Sequence, residues 1–431
     1  MNDTKRSDST RRWMLLGLAA VVLILGCWLS SGTLTPYGTR AYGPCQYRVN
    51  IDHPHFVAVY RMLEGRPAEE WKDSVVLRRI LHPLLAYPWM KAFGYDLGGL
   101  LFNIFLHFVA LIGLALAIRR YFGARAATLV SWLFATYPGY AYWVGLPYSY
   151  AFIVPASVMC VIAMLWWHDR PSALRTSVVA CVVGLAGLGY DLMPFFGGGL
   201  LLLVIHRRRW RDVPLALVIL GAWAVFSSRG IPAIFGFSPS NSNTQAYGAI
   251  IDSYLDAGNR VTGWGGLVAD VPGIFVSNFV FSNFVFFPIL MLWVVGLHLR
   301  WRLRPVLHPV AGAVLLATLG VFLFLNLAPP YDSIWQLRGT WIPRLFQPWF
   351  VAVLVVVAAL AKALQDPRRR RLLVWSVAVV VALDAAVIAG PFIGLTYFHA
   401  GINQHFYRMH GHHRNAAWLR ELGRRPYGVC R

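Results

Sequence analysis

Charge is what this sequence has least of. Only 13% of its 431 residues are Asp, Glu, Lys or Arg, while 58% are hydrophobic. A soluble domain carries about 25% charged residues. The shortage excludes a disordered chain, a coiled coil and most soluble enzymes. Five cysteines in this length exclude a disulfide-rich miniprotein. The chain has no Walker loop, dinucleotide fingerprint, Gly-x-Ser-x-Gly elbow, His-Glu-x-x-His or Cys-x-x-Cys, so the chemistries those motifs serve are not indicated. Acids are scarcer than bases, 18 against 39, for a net charge of +21. In a soluble protein that excess would suggest nucleic acid. Here its distribution points elsewhere.

Long apolar runs fill the space. A membrane span needs about 20 mostly apolar residues. Eleven segments qualify or nearly so: 13–31, 98–118, 125–144, 149–167, 174–190, 192–206, 213–228, 279–299, 306–327, 345–363 and 372–393. The pair over 174–206 is short, with Tyr190-Asp191 at its junction, and reads as a tight hairpin or as one incomplete crossing. Basic residues gather at every second connection: Lys5 to Arg12, Arg119 to Arg125, Arg170 and Arg175, Arg207 to Arg211, Arg300 to Arg304, and Lys362 to Arg371. These account for 21 of the 39. Basic residues in short loops mark the cytoplasmic side. The expectation is therefore an all-α integral membrane protein of about eleven transmembrane helices, N-terminus inside and C-terminus outside, partnered by the lipid bilayer and not by nucleic acid. Segment 13–31 is followed by no small-residue cleavage site and reads as a retained anchor.

This layout gives a cytoplasmic tail over 1–12, a polytopic unit over 13–393 and an outer tail over 394–431. The outer face receives loops 32–97, 229–278 and 328–344. Chemistry is expected there, away from cytosolic nucleotides. Cys27, Cys160 and Cys181 fall in apolar spans and read as small core residues. Cys45 and Cys430 both fall outside, where an oxidising compartment permits a disulfide between them.

Three outer elements carry candidate chemistry. The first is Asn50-Ile51-Asp52-His53-Pro54-His55-Phe56, followed by Tyr60 to Pro67. Asp52 near the membrane surface can take a proton from an incoming hydroxyl; a solvated turn Asp is the plainer alternative. His53 and His55 could tune it or hold a metal. The second is Val76 to Leu85. Its Leu77, Ile80, Leu81, Leu84 and Leu85 follow the spacing of one helical face, with Arg78, Arg79 and His82 on the other. Pro83 is expected to kink or end this helix. It reads as a helix lying in the interface, whose arginines either grip a lipid-linked phosphate or simply anchor in headgroups. The third runs from Pro329 through Asp332, Arg338 and Arg344 to Pro348. Its arginines lie outside, against the positive-inside bias. Asp384, inside the last span, is a functional candidate because charge there is costly. The tail His399 to His413 is histidine-rich and reads as a surface tail or a cover over the first loop, with a metal site as the lesser option.

Together these elements resemble the GT-C superfamily of polytopic glycosyltransferases. Asp52…Phe56…Tyr60…Met62-Leu63-Glu64-Gly65 looks like the family's Asp-containing first-loop run. Arg79-Ile80-Leu81-His82-Pro83-Leu84-Leu85 looks like its R-x-L-x-P-L-L run. Arg344-Leu345-Phe346-Gln347-Pro348 looks like its late R-x-x-x-P run. The patterns are degenerate and cover about a tenth of the chain. One departure matters: His53 stands where many members carry a second acid, which leaves Asp191 as the candidate for that part.

The resemblance implies sugar transfer from a polyprenyl-phosphate-linked donor to a glycan, lipid or protein acceptor on the outer face. It implies Asp52 as base, assisted by Asp191. Arg344 with Arg78 or Arg79 would hold the phosphate, and His53, His55, His82, Asp332 and Arg338 would contribute to substrate binding. It leaves the cofactor open, a divalent cation being one option. The implied location is a bacterial inner membrane with the active face periplasmic or extracellular. An envelope-polysaccharide polymerase or ligase, and a non-enzymatic transporter or flippase, remain as alternatives from other classes.

Overall fold

A computed structural model describes residues 14–27, 59, 62–65, 79–137, 144, 149–190, 193–235, 308–327 and 347–389. Among them there is helix and no strand. The helices are α1 (Met14–Cys27), α2 (Leu81–Phe93), α3 (Tyr95–Phe122), α4 (Ala124–Thr136), α5 (Ile153–Asp169), α6 (Ala173–Gly187), α7 (Phe195–His206), α8 (Asp212–Phe235), α9 (Pro309–Leu327), α10 (Gln347–Ala363) and α11 (Pro367–Ala389). Each expected span within the described residues is occupied by helix. The segment 279–299 lies outside them.

Helix is what lipid demands, because each backbone group is then paired within its own segment. Two helices, Leu97–Phe122 and Asp212–Phe235, are long and apolar enough to cross a membrane on length and composition alone. Others are shorter. The expected span 125–144 is helical only to Thr136, and Tyr137 turns extended at φ −65°, ψ 114°. Pro138 follows, and a proline ring disfavours helical backbone in the residue before it. The α6–α7 pair has 15 and 12 residues, or roughly 22 and 18 Å of helix, so each falls short of a hydrocarbon layer of about 30 Å. At the other extreme, α8 continues past the expected end at 228. It passes through a π-helical turn at Phe226–Gly230 and ends with Ile231–Phe235.

The core centres on α10. Every residue from Phe350 to Ala361 is buried, and the helix touches α3, α4, α5 and α9. Its run of Val and Ala keeps side chains short on all sides, which lets several helices approach it. By contrast α8 turns Leu217, Val218, Val225 and Ile234 outward, as a flank facing lipid would. Cys27 and Cys160 are buried as expected, but Cys181 is exposed. It lies on the outward face of α6, so its apolar setting is not the core.

Polar groups inside the bundle are satisfied locally. The hydroxyls of Ser131, Ser157 and Thr318 each donate 2.7 Å to the carbonyl four residues back. At one end a clasp joins three helices. Trp167 Nε1 donates to Thr176 Oγ1 at 2.8 Å, and that hydroxyl donates to Asp212 Oδ2 at 3.1 Å. Arg209 pairs with Asp212 and also donates to the Pro171 carbonyl at 3.1 Å.

The two ends of the bundle differ. One gathers Arg119, Arg120, His168, Arg207, His308 and Lys362 at helix termini. The other gathers α2, the start of α3, the end of α4, the α6–α7 junction and the start of α10.

Candidate active site at the aromatic end of the bundle

Helix α2 sets this end. It begins at Leu81, four residues later than the periodicity of 77–85 suggested. Pro83 therefore lies in its first turn, where a missing N–H has no intrahelical partner to lose. Proline starts this helix; it neither kinks nor ends it at 83. The Leu81 N–H, also without an intrahelical partner, donates to the Leu188 carbonyl at the end of α6 at 3.0 Å.

The late start also overturns the expected faces. The buried side carries His82, Pro83, Ala86 and Met90. Leu84 and Leu85 are 46% and 43% exposed. Outward leucines on a helix at a bundle's end suit contact with lipid. Close approach of α2 to α3 is permitted by Gly98, where a Cβ would collide with the Trp89 carbonyl oxygen.

His82 was expected beside the arginines as a substrate ligand. It is instead fully buried. Its Nε2 donates to Asn103 Oδ1 at 2.8 Å, and the Asn103 amide donates to the Val144 carbonyl at 3.0 Å. Phe102 and Phe152 flank the ring at 5.4 and 6.0 Å. His107 Nδ1 donates to the Asn103 carbonyl at 2.8 Å. Burial pushes the His82 imidazole down from 6.5 to about 4, against the Asn103 hydrogen bond, which favours the proton. A neutral His82 is a strut between α2 and α3, because it has no charge to offer a phosphate.

Arg79, one residue before the α2 cap, lays its guanidinium 4.6 Å from the centre of the Tyr190 ring. Tyr190 is buried, so the cation sits on a fixed aromatic face. Beside it, Val59, Ile80, Leu188 and Ile231 form a small apolar cluster joined by Met62, Leu63, Trp223 and Phe235. The Met62-Leu63-Glu64-Gly65 turn is closed by Gly65 N–H to Met62 O at 3.0 Å, with Gly65 at φ +69°. That conformation favours glycine. The structure thus brings together three distant stretches: Val59, Met62 and Leu63 of the first loop, Arg79 and Ile80 further along it, and Leu188 and Tyr190 after α6.

The last two residues of the late R-x-x-x-P run, Gln347 and Pro348, open α10 at this same end. Gln347 is buried, and Phe350 one turn on stacks 3.7 Å from Tyr137 at 10°. Asp384 is buried and lies within electrostatic reach of Tyr137. Because α11 starts at Pro367 and not near 372, Asp384 sits ~26 Å along it from that start.

Asp52, His53, His55, Arg78, Asp191, Asp332, Arg338, Arg344, Cys45 and Cys430 lie outside the described residues. Among the described residues no group of three or more His, Cys, Asp or Glu converges as a metal site. Sequence reasoning missed Asn103, His107 and Tyr190. Asn103 and His107 stand four apart in an apolar run, and polar residues so placed share one helix face. That was the available signal.

No family model matches the chain, and no curated protein matches it. The chain is similar to ArnT from Cupriavidus metallidurans. The apo structure of that protein is 17% identical, with a TM-score of 0.48 over 90% of this chain and 65% of the other. The structure of ArnT bound to undecaprenyl phosphate is 18% identical, with a TM-score of 0.49 over 96% of this chain and 72% of the other. This chain thus spans about two thirds of the length of the apo ArnT chain.

Proposed function

We propose that this protein transfers a sugar from a polyprenyl-phosphate-linked donor to an acceptor at the outer membrane surface. The observation that carries the reading is the convergence at one end of the bundle. Val59, Met62 and Leu63 pack there against Ile80 and Leu188, beside the contact of Arg79 with Tyr190. One structural neighbour, ArnT, is bound to undecaprenyl phosphate; the same class of carrier is proposed here on the strength of the arginines.

The chemistry asks for three things. The acceptor hydroxyl must be placed in line, its proton removed, and the departing phosphate stabilised. Asp52, seven residues before the placed Val59, is the base. Asp191, next to Tyr190 in the chain, supports the acceptor together with His53 and His55. Arg79 is a phosphate ligand held at the rim by its tyrosine, and Arg78, Arg338 and Arg344 are the other cations of that site, with Asp332 beside the late arginines. His82 holds α2 in place. Attack of the acceptor oxygen on the anomeric carbon forms one C–O bond and breaks the bond to the carrier phosphate. A single displacement inverts the anomeric centre. The active face is the outer one, in a bacterial inner membrane.

The test is transfer by purified protein with radiolabelled polyprenyl-phosphate sugars and a panel of acceptors. Wild type is expected to transfer. Asp52→Asn is expected to lose transfer by about 10²–10⁴-fold, the range for a positioned base, while expressing and folding as wild type. Transfer that survives the substitution removes Asp52 from the base role.

A further inference from the structure

The opposite end of the bundle holds a second gathering that sugar transfer does not use. His308, at the head of α9, sits at its centre. Its ring lies 4.7 Å from that of His168 at the end of α5 and 5.1 Å from that of Phe122 at the end of α3, edge to face in both cases. Arg207, just after α7, donates to His168 Nε2 at 2.9 Å. Lys362, in the last turn of α10, donates to the Tyr121 carbonyl at 3.0 Å and lies 6.0 Å from the Phe122 ring centre. Both Lys362 and Arg207 act electrostatically on His308.

Four of these groups are basic, and they come from four different helix ends. A topology signal needs charge in a loop; it does not need that charge brought from separate loops onto one ring cluster. The partners are also unusual. A guanidinium has only donors, so the His168 nitrogen facing it accepts and carries no proton. Arg207 therefore keeps its full charge. The Lys362 partner, a carbonyl, is neutral too. Among the described residues no carboxylate forms an ion pair with Arg207, Lys362 or His308. The nearby acid, Asp169, pairs with Arg120 at 3.5 Å, although it also acts on His168, as does His206. Arg207 and Lys362 are exposed while His168 and His308 are half-buried. The result is an aromatic floor with two uncompensated cations on its rim, at the depth where helices meet headgroups.

We infer that this cluster of Arg207, Lys362, His168 and His308 over Phe122 is a binding site for the phosphate of an anionic phospholipid headgroup. A phosphodiester oxygen supplies the missing negative charge and accepts from both cations. Basic pockets between helix ends are suited to such headgroups. A choline headgroup brings its own cation against Arg207 and Lys362 and is disfavoured. The site is independent of the proposed transfer activity, since it lies at the other end of the bundle.

The experiment uses the full chain in neutral detergent. Short-chain phosphatidylglycerol, short-chain phosphatidylcholine and inorganic phosphate are titrated separately. Retained adducts are counted by native mass spectrometry and the thermal midpoint is followed. The variant Arg207→Gln/Lys362→Gln keeps a side-chain donor toward His168 and Tyr121. Arg368→Gln/Arg371→Gln removes the same charge from exposed positions on α11. Wild type is expected to retain phosphatidylglycerol over phosphatidylcholine and to be stabilised by it. The first variant should bind it roughly tenfold or more weakly, at about 1 kcal/mol for each basic residue lost, and the second should bind as wild type. Equal retention of the two lipids by wild type overturns the assignment. So does equal weakening in both variants, which would mean diffuse surface charge. Inorganic phosphate matching phosphatidylglycerol at equal concentration overturns the lipid source in favour of a small anion. Should the first variant fold poorly, the lipid preference of wild type and the Lys362→Gln single variant decide by the same criteria.

Discussion

The two ends of this bundle solve opposite problems with similar side chains. At the aromatic end Arg79 is laid on the ring of a buried tyrosine, and the nearby histidine, His82, is fully buried and bonded to Asn103. At the basic end exposed cations meet on half-buried histidine rings. Burial separates the two. A buried imidazole stays neutral and acts as structure, so beside His82 the positive charge is carried by the half-buried Arg79. At the basic end charge accumulates because water and headgroups can reach it. The same residue type is a strut in one place and part of a charged surface in the other.

That contrast can be broken by experiment. Among the residues of this comparison, the largest expected effect is at Arg79. Arg79→Ala should cut transfer by about 10–100-fold, and Arg79→Lys should restore only part of it, because a lysine keeps the charge but not the planar stacking on Tyr190. Steady-state kinetics with the lipid-linked donor checks this. An unchanged kcat/KM in both variants would remove Arg79 from the site. Next is Asn103→Ala, which leaves the His82 donor and the Val144 carbonyl without this partner. Thermal unfolding should show a loss of about 1–3 kcal/mol, with transfer falling as α2 loosens. Asp212→Ala is the matching change at the basic end. It opens the Arg209–Asp212–Thr176–Trp167 clasp and should cost about 1–2 kcal/mol with transfer unaffected at temperatures where the protein stays folded. The smallest effect is a slope. His82 has its pKa lowered on folding, so the unfolded chain takes up the proton first as pH falls, and stability is lost between about pH 6.5 and about 4. Above pH 6.5 the group contributes no slope. His82→Gln cannot titrate and should show a shallower loss over that interval in pH-dependent unfolding.

Much of the architecture was legible in the chain because lipid allows few solutions. Among the described residues the long apolar runs became helices, and the basic connections at 119–125, 170–175, 207–211 and 362–371 gather at one end of the bundle. The places where the reading slipped have particular causes. Tyr137 leaves the helix under the influence of Pro138. Pro83, expected to interrupt a helix, sits where proline costs least. Cys181 is apolar in its surroundings yet faces outward, since in a membrane helix an apolar position does not identify the core. The candidate site was legible in its residue types at Arg79 and at the Met62–Gly65 turn. It was not legible in His82, whose burial and bond to an asparagine 21 residues away are set by how α2 packs on α3.

By itself, then, the sequence determined the class: an all-helical chain of apolar segments with basic residues recurring at alternate connections. Composition and charge spacing suffice for that, because the cost of burying backbone and charge in lipid acts on each segment separately. Only the tertiary structure decided which residues meet. It set the phase of α2, placed Arg79 on Tyr190, made His82 a strut and gathered Arg207, His168, His308 and Lys362 at one point. Those outcomes depend on distances between helices, which no single segment encodes.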